Sequence, residues 1–168
     1  AALLIETVRI VTAWEKSSAL TFITDGTEQP VFVIGDRRGI AQIALNLLSN
    51  AVKFTKKGGT ITTTLQRMKN GAVQVDISDT GTGIDAQDIA HLMQPFRQVG
   101  NSAHIANEGG VGLGLALSRA IIQAHGGDIT IRSKIGVGTT VTFELPALRV
   151  MRPAQSLLDN AEPAKAGS

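Results

Sequence analysis

Apolar residues recur at helical spacing near the N-terminus, at Leu3, Leu4, Val8 and Val11, and predict a helix within residues 3–16. ALTFITD and PVFVIGD then read as two short strands with a turn between. Asp36 is placed to cap a long helix running to about Phe54, which the lysine and glycine cluster KKGG ends. TITTTLQRM and AVQVDISD alternate in polarity, are rich in β-branched residues and flank Asn70-Gly71, the signature of a hairpin. A short helix is expected from Asp85 to about Met93, then a glycine-containing irregular stretch over 94–112. A further helix covers about 113–125 and stops at Gly126-Gly127, and DITIRSK and TTVTFELP follow as strands joined through Gly136 and Gly138. Strands and helices mix without strict alternation, which favours a layered α+β sandwich over a doubly wound sheet. After Pro146 the period is lost, and 147–168 reads as a mobile tail.

Composition narrows the picture further. The chain has 168 residues, enough for one domain with a sizeable core, and is 43% hydrophobic and 18% charged. Its net charge of +2 comes from scattered residues and aromatics make up only 4%, so neither a basic stripe nor a base-stacking platform points to nucleic acid. Cysteine is absent, which excludes disulfides, thiolate metal sites and a thiol nucleophile. Ser118 and Arg119 interrupt the longest apolar run short of the roughly 20 residues of a membrane helix, and AALLIETVRIV lacks the marks of a secretory signal. The expectation is a soluble, cytoplasmic piece.

Four segments carry the candidate chemistry, namely NLLSNAVKFT, DTGTGI, GGVGLGLALSR and GVGTTVTFELP. At about 100° per residue, Asn46, Asn50 and Lys53 fall in an arc of roughly 60° on the first long helix, opposite Ala44, Leu45, Leu48, Ala51 and Val52. An asparagine oxygen is a neutral hard ligand for Mg²⁺, and a lysine one turn on can offset phosphate charge; a solvated polar face explains the stripe equally well. Asp79 ends a predicted strand, and an ionised carboxylate can accept from the exocyclic amine of adenine while opposing the carbonyl of guanine. Gly81 and Gly83 leave room for a planar base, although DTGTG alone is also an ordinary turn. Gly109, Gly110, Gly112 and Gly114 lead into a helix whose free N–H groups suit a phosphate, and residues 94–109, with Asn101, Asn107 and Glu108, form a prospective lid. Thr139 offers a hydroxyl near the base. There is no phosphate loop of the GxxxxGK[ST] type, no GxGxxG, and no HRD or DFG.

Taken in order, these segments resemble the catalytic and ATP-binding domain of bacterial two-component sensor histidine kinases, within the superfamily of DNA gyrase B, mismatch-repair ATPases and the large heat-shock chaperone ATPase. The likeness covers about residues 20–146, with NLLSNAVKFT as N box, DTGTGI as G1 box, QPFRQV as F box and GGVGLGLALSR as G2 box. It implies a Bergerat-type two-layer sandwich, a mixed sheet of about five strands with helices on one face, and division into a junction helix at 1–16, an ATP-binding domain at 17–146 and the tail. It also implies Asn50 as the Mg²⁺ ligand, Asn46 and Lys53 near the phosphates, and Asp79, Gly81, Gly83 and Ile84 around adenine. Gly110, Gly112, Leu113 and Gly114 carry the lid and phosphate contacts, with Phe96 as the lid anchor and Asn107 and Glu108 within the lid. The implied partners are ATP, the parent's own dimerisation domain and a response regulator, in a parent that is free or anchored to the inner membrane.

The resemblance also exposes departures. No segment matches the phosphoacceptor histidine of a dimerisation helix; His91, His104 and His125 read as surface, lid and helix-end residues. Gly39 and Val111 stand where relatives commonly carry arginine and threonine. The expected function is therefore ATP binding and delivery of the γ-phosphoryl to a histidine on a separate domain. A degenerate signalling scaffold and an ATP-gated dimerising module are the alternatives.

Overall fold

The longest helix, α2, spans Arg37–Phe54 and starts where its sequence predicts, because the Asp36 carboxylate accepts from the Arg38 and Gly39 N–H groups at 2.9 and 3.1 Å. The computed structural model describes residues 1–92 and 113–151. Ile40, Ile43, Ala44, Leu47, Leu48, Ala51 and Val52 form the buried stripe of α2, at the i, i+3, i+4 spacing of a core-facing helix. Helix α1, Ala2–Thr12, packs on α2 through Leu4, Val8 and Val11. It stops earlier than residue 16 because the Trp14 N–H and the Ser17 hydroxyl, at 3.1 and 2.7 Å, both take the Val11 carbonyl and turn the chain into a 3₁₀ segment at Glu15–Ala19.

Strands β1 (Thr21–Asp25), β2 (Thr60–Arg67), β3 (Val73–Asp79), β4 (Asp128–Lys134) and β5 (Gly138–Leu145) form one mixed sheet in the order β1-β2-β3-β5-β4. Only β1 and β2 run parallel. Ile61, Leu65, Val75, Ile77, Ile129 and Phe143 face the helices, and the alternate positions, among them Thr62, Asp76, Thr140 and Thr142, make a polar opposite face. Short α3 (Ala86–Leu92) follows β3, and α4 (Gly114–Ala124) packs on α2. The result is the α+β two-layer sandwich that the sequence predicts.

Two expectations change. PVFVIGD is not a strand: Val33 makes a lone bridge to Val150, because Pro30 lacks an N–H and Asp36 is already the cap of α2, leaving too little chain for a ladder. The presumed tail is ordered at its start, with a 3₁₀ turn at Ala147–Arg149, Val150 buried, and the Met151 N–H bonded to the Phe32 carbonyl at 2.9 Å. Residues 152–168 lie outside the described residues.

His125 ends α4 and is buried there. Its Nε2 accepts from the Asp36 N–H at 2.9 Å and its Nδ1 lies 2.8 Å from the Ile121 carbonyl, so the proton sits on Nδ1. The imidazole thus ties the end of α4 to the start of α2, a structural post as its sequence position implies. His125→Ala removes the buried ring and both of its bonds, leaving the Asp36 N–H without its imidazole partner, and is expected to lower stability by about 2 kcal/mol in urea unfolding. A change near zero would contradict the tie.

Candidate functional site

The antiparallel register sets Ile61 opposite Asp79, Asp79 opposite Thr139, and Thr139 opposite Ser133. Directly paired residues share a face, so Asp79, Thr139 and Ser133 form a polar row at one end of the sheet, on the side that carries the helices. Asp79 Oδ1 accepts from the Gly81 N–H at 2.8 Å and the Thr139 N–H at 3.3 Å. No described residue donates to Oδ2. Burial pushes the Asp79 carboxyl above its usual range, against the downward pull of those two N–H groups. Among the described residues, the half-buried carboxylate thus has one oxygen fixed and one that can still accept.

The segment after Asp79 crosses the C-terminal end of α2. The Thr82 N–H reaches the Phe54 carbonyl at 3.3 Å, and a Cβ on Gly81 would come within 2.5 Å of that oxygen. Gly83 has φ of +70° and its Cβ position is taken by the Lys134 carbonyl. Close approach of protein backbone therefore requires glycine at both positions, and Gly83 also has the positive φ expected of the turn. Ile84 is held by its N–H on the Ser133 hydroxyl at 2.8 Å.

One turn and two turns back along α2 lie Asn50 and Asn46. Asn46 is fully engaged: its amide donates to the Gly114 carbonyl at 3.1 Å and the Ser118 hydroxyl at 3.3 Å, and accepts from Gln42 at 2.8 Å. Ser118, fully buried, also donates to the Gly114 carbonyl at 2.9 Å. These bonds fix the first turn of α4 beside α2. Among the described residues that turn has no side-chain cap, and the N–H groups of Gly114, Leu115 and Ala116 precede the first bond of its ladder, from the Leu117 N–H to the Leu113 carbonyl at 2.8 Å. Its positive end therefore lies near Asn46. Leu113 is exposed just ahead of it.

Asn46 and Phe54 are eight residues apart, about 12 Å along the helix axis. The described elements thus bring a hydrogen-bond acceptor to the C-terminal end of α2 and an anion-favouring helix start beside its middle, at Asn46, with Asn50 between them. Asn50 is partly exposed and its amide makes no hydrogen bond among the described residues. Lys53 is partly exposed, with Nζ 5.2 Å from the Phe54 ring centroid. Phe96, Asn107, Glu108, Gly110 and Gly112 lie outside the described residues, as do Asn101 and His104. No group of three His, Cys, Asp or Glu that could hold a metal occurs among the described residues. Among the described residues, a divalent cation would fit as an ion shared between an amide oxygen such as that of Asn50 and the ligand's own oxygens.

Sequence reasoning missed Ser133, Ser118 and Gln42, whose partners are distant in the chain or amides of neighbouring turns. The alternation of β4 places Ser133 on the inward face, and Ser118 falls on the buried side of α4; a polar residue at a core position was the available signal.

Residues 35–149 match the family described as histidine kinase-, DNA gyrase B-, and HSP90-like ATPases. The chain belongs to that family. Histidine protein kinase DivJ of Caulobacter vibrioides is 46% identical over 116 residues, covering 69% of this chain and 19% of that protein. The cell-division control histidine kinase PdhS of Brucella canis is 38% identical over 126 residues, 71% of this chain and 12% of that protein. Among solved structures, the mycobacterial sensor histidine kinase MprB superposes with a TM-score of 0.75 at 26% identity, over 86% of this chain and 93% of that chain. Full-length ShkA, solved with AMPPNP, superposes with a TM-score of 0.74 at 26% identity, over 86% of this chain and 29% of that one. Within the family the chain is an ATP-binding catalytic domain of the histidine kinase type. It spans about a fifth or less of the length of these curated relatives. None of the described helices is long and apolar enough to cross a membrane.

Proposed function

We propose that ATP lies along α2 with its adenine at Asp79 and its phosphates at the start of α4, and that the parent protein delivers the γ-phosphoryl to a histidine on a separate dimerisation domain. The observation that carries this is the half-buried Asp79 carboxylate with Oδ1 tied to two backbone N–H groups and Oδ2 taken by no described donor. A single available acceptor suits the 6-amino group of adenine. Guanine would set its 6-oxo group against that oxygen, and the tied Oδ1 withholds the second acceptor that its ring N–H and 2-amino group would need together.

In this seating Gly81, Gly83 and Ile84 hold the wall beside the base, and Thr139 adds a hydroxyl. The Gly114–Ala116 N–H groups, with Gly110, Gly112 and Leu113 before them, receive phosphate oxygens, and Asn46 acts by holding α4 in place. Asn50 would supply a protein oxygen to Mg²⁺ and Lys53 would balance phosphate charge. Magnesium bound there neutralises part of the triphosphate's charge. Phe96, Asn107 and Glu108 belong to the proposed lid.

The chain's own contribution is then positioning and electrostatic complementarity, with no protein nucleophile required of it. The acceptor histidine, its dimerisation helices and a response regulator would lie elsewhere in the signalling system, α1 serving as the junction. The test is calorimetric titration of this chain with ATP, with and without Mg²⁺. Saturable binding that strengthens with Mg²⁺, and loses that gain in Asn50→Ala, is expected. Folded protein that binds no Mg·ATP at millimolar nucleotide would overturn the proposal.

A further inference from the structure

The Ser133 hydroxyl is used to its limit. It accepts from the Ile84 N–H at 2.8 Å, donates to the Gly138 carbonyl at 2.9 Å, and lies 2.8 Å from the Thr139 hydroxyl. A serine has one hydrogen and two lone pairs. A carbonyl oxygen can only accept, so the hydrogen of Ser133 belongs to Gly138; the Ile84 N–H takes one lone pair, and the other is left for Thr139. In the Ser133–Thr139 pair the donor is therefore Thr139. With its one hydrogen committed to β4, the Thr139 hydroxyl presents only lone pairs elsewhere.

Thr139 also pairs directly with Asp79 across the sheet, and its N–H bonds to Asp79 Oδ1. The two side chains that flank the proposed base edge are then both acceptors, one by ionisation and one by the orientation that Ser133 imposes. We infer that Ser133 is a specificity-determining positioning residue, which keeps Thr139 an acceptor and so makes the site demand a hydrogen-bond donor, the 6-amino group of adenine or a water that this group orients. Ser133 need not touch the nucleotide. Without it, Thr139 is free to rotate, donate, and serve a 6-oxo purine. The inference rests on the proposed seating of the base against Asp79 and Thr139.

The experiment compares ATP with inosine triphosphate, which differs at the 6-position of the base while keeping the sugar and triphosphate. Dissociation constants are measured by calorimetry for the wild type, Ser133→Ala and Ser133→Thr, with melting temperatures as the folding check. The wild type should prefer ATP, Ser133→Ala should reduce that preference about tenfold, mostly through tighter binding of inosine triphosphate, and Ser133→Thr should restore it. A purely structural role would weaken both nucleotides together and leave their ratio unchanged, which would overturn the inference while the ATP site stands. A wild type that binds both nucleotides equally, or neither, would instead remove the seating of the base beneath it. Should Ser133→Ala not fold, Thr139→Val reports on the same hydroxyl: weaker ATP with unchanged inosine triphosphate supports the inference, and an equal loss of both contradicts it.

Discussion

Asp79→Asn is expected to weaken ATP binding about 100-fold or more while leaving the empty protein at least as stable at neutral pH. The amide is isosteric, so its oxygen can keep the bonds from the Gly81 and Thr139 N–H groups, and its NH₂ then replaces the one unused carboxylate oxygen. A donor would then meet the donor of the 6-amino group, which loses a charge-assisted bond and leaves both N–H groups unpaired. The stability effect has the opposite sign. Burial raises the Asp79 carboxyl above its usual value, so the folded state holds this proton more tightly than the unfolded state. The stabilising contribution of the protonated group is fully present below the unfolded pKa and is lost as pH rises through the raised folded pKa, so at neutral pH the ionised carboxylate is a cost to the empty fold. Asparagine removes that cost, and its advantage should close as the solution is acidified. Urea unfolding across pH and calorimetry with ATP measure the two effects; ATP affinity within about threefold of wild type would rule out the assigned role.

Gly138→Ala should instead damage fold and site together. Gly138 has φ of +137° and opens β5 with its Cβ position on the Asp79 carbonyl oxygen, directly before Thr139. A methyl group there must push β5 away from β3 and holds a left-handed backbone that alanine disfavours. A loss of about 3 kcal/mol in stability is expected, with weaker ATP binding wherever the protein remains folded. Gly136→Ala is the comparison, since φ is +75° but nothing lies within 4 Å of its Cβ position. It should cost about 1 kcal/mol, the backbone contribution alone. Equal losses at the two positions would refute the steric account.

What could be read from the chain was what local chemistry decides. Asp36 caps α2 with its own carboxylate, and Asn70-Gly71 closes the hairpin with Gly71 at φ of +85°, both within a few residues of the signal that announces them. Asp79 could be placed at a strand end because AVQVDIS alternates. Its commitment to one available oxygen could not, since Thr139 lies 60 positions further along the chain. The same separation hid Ser118, which meets Asn46 across 72 positions, and with it the bonds by which Asn46 holds α4. PVFVIGD had the composition of a strand, but composition does not provide a partner, and among the described residues only the short stretch Arg149–Met151 bonds along it, with a single bridge at Val33–Val150. The turn at Gly81 and Gly83 could be read locally, with Gly83 at φ of +70°, but the carbonyls of Phe54 and Lys134 that crowd their Cβ positions could not.

The most direct measurement follows backbone amide resonances of the labelled protein while adenosine, and then Mg·ATP, is added. Adenosine should shift Gly81, Ile84 and Thr139 and leave Gly114, Leu115 and Ala116 in place; Mg·ATP should shift both groups and the Asn50 side-chain amide. If adenosine moves the α4 amides while those around Asp79 stay still, or if Mg·ATP moves neither group, the nucleotide does not lie along α2 with its base at the carboxylate.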